Sequence, residues 1–440
     1  MKILGKYGNY GLAVLVVVLT MVIAVGCSSD SSSEAESLLK TVPADADAVA
    51  ILNVEQLLKK SGCKVKGTEI ELPADFRKKI EEMKDTAARN TIMTIAGGEA
   101  GVSPKAICVF YGTRTFITGL LEDPSAFKAY VEKRTKSSFS EDGGANVNRN
   151  IAFIGNQFWI GIPGLPESAE LVRYTKLSKD QSMASHLYAE KLTSMKEDLE
   201  GMADLGQVLG TTGRSRAQIS MAMAALFDKA TMIGFKGEVG KTDVEISARF
   251  LNSKGEPAKY LLPTGKIDTE VLKKTSEKTR TLVAAYVPSG LVDKITGIFA
   301  SFGGGLPESL TAPLKEIDGT LAFSEGPDGM TGIVSTAKTP TPALVELTGE
   351  QSRMTVTIDG KSMLLNKGTV PGGNLEVSTI SGYFKGAMFG AVGDKLVGIC
   401  DYYPGYCEGI MVSPVDNTLE IKMFAELGSD GWQKLLEKAL

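Results

Sequence analysis

Residues able to do chemistry are sparse in this sequence, and each candidate falls short of a complete set. The one histidine, His186, sits in Ser185-His-Leu-Tyr-Ala-Glu-Lys. A single imidazole excludes zinc and iron sites built from several histidines. It could serve a serine–histidine–aspartate arrangement, but there is no Gly-x-Ser-x-Gly elbow, and Ala322-Phe-Ser-Glu-Gly only approaches one. On the amphipathic helix predicted over Ser185–Asp198, His186 reads as a surface residue. Gly237-Glu-Val-Gly-Lys-Thr resembles a phosphate loop, yet five residues separate Gly234 from Gly240 where the motif needs four. Predicted strands on both sides make it a hairpin turn. Ser125-Ala-Phe-Lys128 has the Ser-x-x-Lys spacing of serine acyl-enzymes but lacks their Ser-Asp-Asn and Lys-Thr-Gly companions, so it reads as a helix start. Asp45 with Asp47, and Glu141 with Asp142, lack the Asp-x-Asp-x-Asp-Gly loop of a calcium site and read as solvated turns. The sequence names no catalytic residue and calls for no cofactor or metal.

Cysteine chemistry is more informative. Lys2 and Lys6 precede an uncharged run, Leu12–Val25, that ends in Gly26-Cys27-Ser28-Ser29-Asp30. As a helix that run would rise only about 21 Å, short of the ~30 Å hydrocarbon core of a bilayer. It fits a cleaved signal peptide, residues 1–26, better than a membrane span. The small Gly26 followed by Cys27 resembles the lipobox of bacterial lipoproteins, with Ala24 where leucine is usual. The resemblance implies that Cys27 receives a diacylglycerol, the chain is cut before it, and the new amino group is acylated, commonly with palmitate. Membrane lipid is then the first partner, held through acylated Cys27, since two or three acyl chains make a stable anchor. Ser28 resembles the sorting context of outer-membrane lipoproteins, which leaves the periplasmic and cell-surface faces both open. Residues 27–42 read as the lipidated cysteine and a flexible tether.

Four cysteines remain. Cys400 and Cys407 flank a turn built on Pro404-Gly405 and could form a disulfide across two strands, as an extracytoplasmic location would permit. Cys63 and Cys108 could pair, but Cys108 lies in an apolar strand and reads equally well as a buried thiol. The 400–407 turn also carries Tyr402, Tyr403 and Tyr406, a possible binding loop for a sugar or a partner protein, against tyrosines folded back onto the sheet.

The full sequence has 48 basic and 52 acidic residues, and removing Lys2 and Lys6 with the leader leaves a formal charge of −6. No clustered basic face is present, which excludes a nucleic-acid partner. A chain of this length forms two or more domains, and its 48 glycines point to many tight turns and a strand-rich fold.

Internal similarity organises those domains. Ala48-Val-Ala-Ile-Leu-Asn-Val matches Leu282-Val-Ala-Ala-Tyr-Val-Pro, and Leu72-Pro73 matches Leu306-Pro307. Phe116-Ile-Thr-Gly-Leu-Leu matches Gly329-Met-Thr-Gly-Ile-Val, Ile151–Ile160 matches Val356–Leu365, and Val244–Phe250 matches Leu419–Ala425. The order is kept while the offset falls steadily, which predicts a duplication. Each copy reads as an apolar strand, helices opened by Leu-Pro, two strands, a proline-started helix and a hairpin. Asp123-Pro124 supplies a cap for the helix Ser125–Lys133, and period-two alternation around Gly155-Asn156 marks the hairpin Asn150–Gly161. Helices are also predicted at Pro257–Leu262 and Trp432–Leu440. The expected class is α+β: two related lobes of antiparallel sheet with helices on one face. The lobes span residues 43–265, with a helical insertion at about 167–230, and 277–440.

Val42-Pro43-Ala44-Asp45-Ala46, the apolar strand behind it and the Leu57-Leu58-Lys59-Lys60-Ser61-Gly62 helix end resemble a family of bacterial outer-membrane lipoproteins of unknown function. The resemblance covers most of the mature chain and implies no activity. The functional expectation is a non-enzymatic binding or scaffolding lipoprotein of the cell envelope, with an envelope protein or a glycan as partner. The alternatives are a carrier of a lipid or other apolar ligand, with which the apolar stretch Met221–Phe227 is compatible, and a carboxylate-only hydrolase such as a glycosidase.

Overall fold

The computed structural model describes residues 31–82, 86–205, 223–224, 226–240, 243–263, 265, 267–276, 281–301, 307–327, 329–368, 397–403, 406–415 and 417–426. The chain divides into two compact units. Unit 1 comprises Met1–Asp204, Phe235–Thr242 and Ser429–Leu440; unit 2 comprises Leu205–Gly234 and Asp243–Gly428. The first division thus falls at Asp204, well before the residue 265 expected from the sequence. Both units are antiparallel sheets with helices, an α+β architecture.

Unit 1 opens with helix α1 (Ser31–Leu39) inside the segment expected to be a flexible tether. Ala35, Leu38 and Leu39 follow the i, i+3, i+4 spacing of one helical face, and they and Val42 just beyond the helix are fully buried. Glu34 goes in with them. Its carboxylate accepts hydrogen bonds from Ser103 Oγ at 2.7 and 2.9 Å and faces Lys105 Nζ at 3.1 Å. A buried charge survives only with such partners. At the end of the helix, Gln157 Nε2 donates to Thr41 Oγ1 and to Thr118 Oγ1, both at 2.8 Å.

Behind α1 come β1 (Ala48–Asn53), α2 (Val54–Lys60), the small hairpin β2 (Lys64–Lys66) and β3 (Glu69–Glu71), α3 (Ala74–Glu82) and α4 (Thr86–Ala96). Next are β4 (Val102–Tyr111), β5 (Thr115–Leu121) and α5 (Pro124–Thr135). Then follow β6 (Ser140–Asp142), β7 (Ala145–Asn148), β8 (Ile151–Ile154), β9 (Gln157–Ile162), α6 (Ser168–Tyr174), α7 (Ala189–Thr193) and β10 (Leu199–Asp204). Hydrogen-bonded neighbours run β10-β1-β4-β5-β9-β8-β7-β6. Asp123 caps α5 as expected, accepting from Ser125 N at 2.9 Å and Ala126 N at 3.0 Å. Leu57, Ile80, Ile92, Ile107 and Ile117 form the core under α2–α4, and Leu121, Phe127, Val131, Phe153 and Phe158 form the core under α5.

The expected insertion is not wholly helical. The predicted helix Ser185–Asp198 is a short 3-10 turn, Met183–Ser185, then α7, and β10 follows as a strand beside β1. Asp198 forces the break. It is 1% exposed, its carboxylate accepts from Gln56 Nε2 and Val239 N, and Lys60 Nζ lies at 2.7 Å.

Strand β11 (Ala230–Val239) precedes β12 (Asp243–Asn252), so strands do flank the Gly237–Thr242 segment. Unit 2 continues with α8 (Thr269–Leu272), β13 (Thr281–Val287), α9 (Leu291–Ser301), α10 (Glu308–Leu314), β14 (Ile317–Gly326) and β15 (Gly329–Thr336). It ends with α11 (Pro342–Ser352), β16 (Thr355–Asp359), β17 (Ser362–Gly368), β18 (Val397–Tyr403), β19 (Tyr406–Val415) and β20 (Thr418–Glu426). Neighbours run β16-β17-β15-β14-β13-β18-β19-β20-β12. Pro257–Leu262 is extended rather than helical. Bridges from Pro257 to Leu251 and from Tyr260 to Phe227 use its backbone groups, and Ala258 joins the core. Within Met221–Phe227, the described Met223, Leu226 and Phe227 join a core cluster with Phe250, Ala258 and Leu419. Trp432–Leu440 lies outside the described residues.

The two units repeat one topology. The ladder β1-β4-β5-β9-β8 has its counterpart in β13-β14-β15-β17-β16, and the next strand in the chain, β10 or β18, pairs with the free side of the first. Both α5 and α11 open on a capping side chain and a proline, Asp123-Pro124 and Thr341-Pro342, and both end in a left-handed basic residue, Lys136 or Arg353. Unit 1 adds the β6–β7 hairpin between the helix and its last hairpin.

Candidate functional site

The phrase Pro43-Ala44-Asp45-Ala46-Asp47 forms one wall of an open cleft of about 850 Å³ in unit 1. It is held in place by backbone hydrogen bonds: Ala44 N to Gln181 O at 2.9 Å, Asp47 N to Tyr111 O at 2.8 Å and Met183 N to Val42 O at 2.8 Å. The opposite wall comes from α6 and the residues after it, with Glu170, Arg173, Tyr174 and Lys176. At the base Phe110 and Phe116 stack with centroids 4.8 Å apart, and Tyr174 stands edge-on to both. The Arg173 guanidinium lies over the Tyr174 ring, 5.5 Å from its centroid. Tyr174 Oη donates to Glu170 Oε1, and burial together with that carboxylate pushes the phenol pKa up. The cleft thus joins an aromatic base to a rim carrying both signs of charge, a combination suited to holding a polar partner.

The candidates read from the sequence lie elsewhere. Cys27 is outside the described residues. Cys400, Tyr402 and Tyr403 fall in β18 and Cys407 and Tyr406 in β19, with Tyr403 paired to Tyr406 at the end of the ladder. The register sets Cys400 against Gly409 and Cys407 against Tyr402, so the two cysteines hold diagonal positions instead of facing each other. Cys63 and Cys108 are both buried and unlinked, and burial raises both thiol pKa values, which makes them inert. His186 closes the Met183–Ser185 turn, where its Nδ1 accepts the Tyr188 N–H at 3.1 Å and partial burial lowers its pKa. Asp142 Oδ2 accepts from Ser168 Oγ at 2.6 Å. Among the described residues no three histidine, cysteine or acidic side chains converge on a metal position.

One carboxylate pair escaped sequence reading. Burial raises the Glu200 pKa while Tyr188 Oη donates to it at 3.3 Å, and Glu197 nearby faces Lys236 at 3.0 Å. Neither acid lines the cleft.

No family model matches the sequence, and no curated protein matches it. Among solved structures, crystal forms I and III of TP0453 are similar over 78% of this chain and 96% and 97% of theirs. Identity is 8% and 7% and the TM-score 0.27 and 0.28, so the likeness is distant and nothing is carried over from it.

Proposed function

We propose that this chain is a membrane-anchored lipoprotein of the bacterial cell envelope that binds a partner rather than transforming one. The partner is an envelope protein or a glycan. The observation that carries this reading is the unit 1 cleft, about 850 Å³ and open, with an aromatic base and a rim of Asp45, Glu170, Arg173 and Lys176. Its geometry serves recognition: the aromatic side chains are locked against one another and the charges are spread along the rim.

The anchor fits the same reading. Removal of 1–26 leaves Cys27 acylated, and only three residues, four Cα-to-Cα steps, separate it from α1, which is docked through Glu34. At about 3.5 Å per residue that chain spans no more than about 14 Å. Unit 1 would therefore be held close to the bilayer instead of ranging on a long tether. The binding-loop role of Tyr402, Tyr403 and Tyr406 is retained as part of this proposal, since all three lie together at the turn end of the β18–β19 ladder.

The test is native mass spectrometry of the mature chain recovered from its own envelope, with photo-crosslinking from position 176. A reproducible glycan mass, or crosslinks from position 176 to one envelope protein, is the expected result. An empty chain with no crosslinked protein would overturn the reading. Substituting Cys27→Ala should abolish acyl labelling and release the chain from the membrane fraction.

A further inference from the structure

The repeated ladder lets positions in the two units be compared row by row. In unit 1 one row across four strands reads Leu52, Ile107, Gly119, Phe158, each paired to the next. The same row in unit 2 reads Val283, Phe323, Gly332, Leu365. Glycine recurs in third place. At Gly119 a Cβ would meet the Phe158 ring at 2.8 Å, so the glycine makes room for that phenylalanine. In unit 2 a Cβ at Gly332 would meet the Leu365 side chain, its Cβ at 3.2 Å and its Cδ1 at 3.5 Å.

What covers this face differs. In unit 1, Leu52 and Ile107 lie under α2–α4 and Phe158 under α5, packed on Phe127 at 5.5 Å between centroids. In unit 2 the same ladder positions border a cleft of about 480 Å³ between the sheet and the C-terminal half of α11. Counting from the shared proline, Tyr130 of α5 corresponds to Thr348 of α11, and Phe127 to Val345. Smaller side chains have replaced two aromatic groups on the helix and one on the sheet. Leu321, at the edge of this cleft, is 40% exposed.

The lining is mostly apolar, with the hydroxyls of Thr348 and Ser352 on the helix side and one charge. Lys367 stands opposite Met330 in the ladder, where unit 1 has Ile160 opposite Ile117. It is the one charged residue in the lining, it is exposed, and it pairs with no carboxylate among the described residues. An apolar trough of this volume with a single unpaired cation at its mouth is complementary to a long alkyl chain ending in an anion.

We propose that this cleft of unit 2 binds a long-chain fatty acid, its alkyl chain lying along Val283, Phe323, Met330 and Leu365 and its carboxylate at Lys367 Nζ. The chain beginning at Ser28, which keeps every described residue, should bind cis-parinaric acid saturably at one site. Palmitate should displace the probe, and 1-hexadecanol should do so about fivefold less well, the scale of one exposed ion pair. Lys367→Gln should erase that preference; it alters an exposed side chain and leaves the core intact. Thr348→Tyr restores the side chain of unit 1 and should weaken parinarate binding tenfold or more. Three results would each overturn the proposal: no displaceable probe on the wild-type chain, full affinity in Thr348→Tyr, or an unchanged palmitate preference in Lys367→Gln.

Discussion

Unit 1 and unit 2 weave the same five-strand ladder and cap α5 and α11 in the same way, a capping side chain before proline and a left-handed basic residue at the end, yet they close one sheet face differently. In unit 1 three helices and a cluster of phenylalanines seal it. In unit 2 valine, threonine and leucine stand at the corresponding places, and a cleft remains. Backbone topology is thus set by strand patterning, capping and turns, whereas the presence of a cleft is set by side-chain volume at a few rows. We propose that the two units arose by duplication and diverged by redistributing bulk on one face, with Phe323 where unit 1 has Ile107 and Leu365 where it has Phe158.

The comparison can be broken in several ways. Phe158→Ala removes a ring packed on Phe127 and on Gly119, and should cost about 3–5 kcal/mol in chemical denaturation read by Trp159 fluorescence. Glu34→Ala strands Lys105, which is 10% exposed, beneath α1. The loss should approach about 3 kcal/mol, tempered by Glu122 at 3.8 Å. Leu365→Ala at the counterpart of Phe158 should cost about 2 kcal/mol, because the site already borders a cavity. Equal losses at Phe158 and Leu365 would mean that the two faces are equally packed.

Two further measurements sharpen smaller points. The diagonal placement of Cys400 and Cys407 predicts unlinked thiols, since directly paired positions bring cysteines within bonding range and diagonal ones lie farther apart. A 400–407 crosslink in non-reducing peptide mapping would require a shifted ladder. The smallest effect belongs to His186. Its folded pKa lies below the ordinary 6.5, so its contribution to stability is complete above that value and is lost as pH falls through it. His186→Gln should flatten the stability profile below about pH 6.5 and leave neutral pH unchanged.

Much of the fold was legible. The strands Ala48–Asn53 and Thr281–Val287, the Asp123 cap and the Gly155-Asn156 hairpin all carry local signals that tertiary packing reinforces. The ladder does shift the first internal match: Ile51, not Ala48, corresponds to Leu282, because the helix follows β1 directly but follows β13 after Pro288-Ser289-Gly290. Helix α1 was missed although Ala35, Leu38 and Leu39 spell out one face, since serines and acids around them suggested a tether. The β10 strand is hidden because Glu200 within it and Asp198 just before it are charged, and the Lys60, Gln56 and Tyr188 side chains together with Val239 N–H make them tolerable there. Sequence reading singled out the Pro43–Ala46 phrase without seeing a cleft wall, because its opposite wall lies some 130 residues later. The unit 2 cleft depends on volumes compared across four strands and was beyond any local pattern.

Hydrogen exchange read by mass spectrometry tests the sealed-versus-open contrast most directly. Amides of β5 and β9 should exchange more slowly than those of their counterparts β15 and β17, and palmitate should slow only the latter pair. Equal protection in the two ladders, with no response to palmitate, would contradict the account.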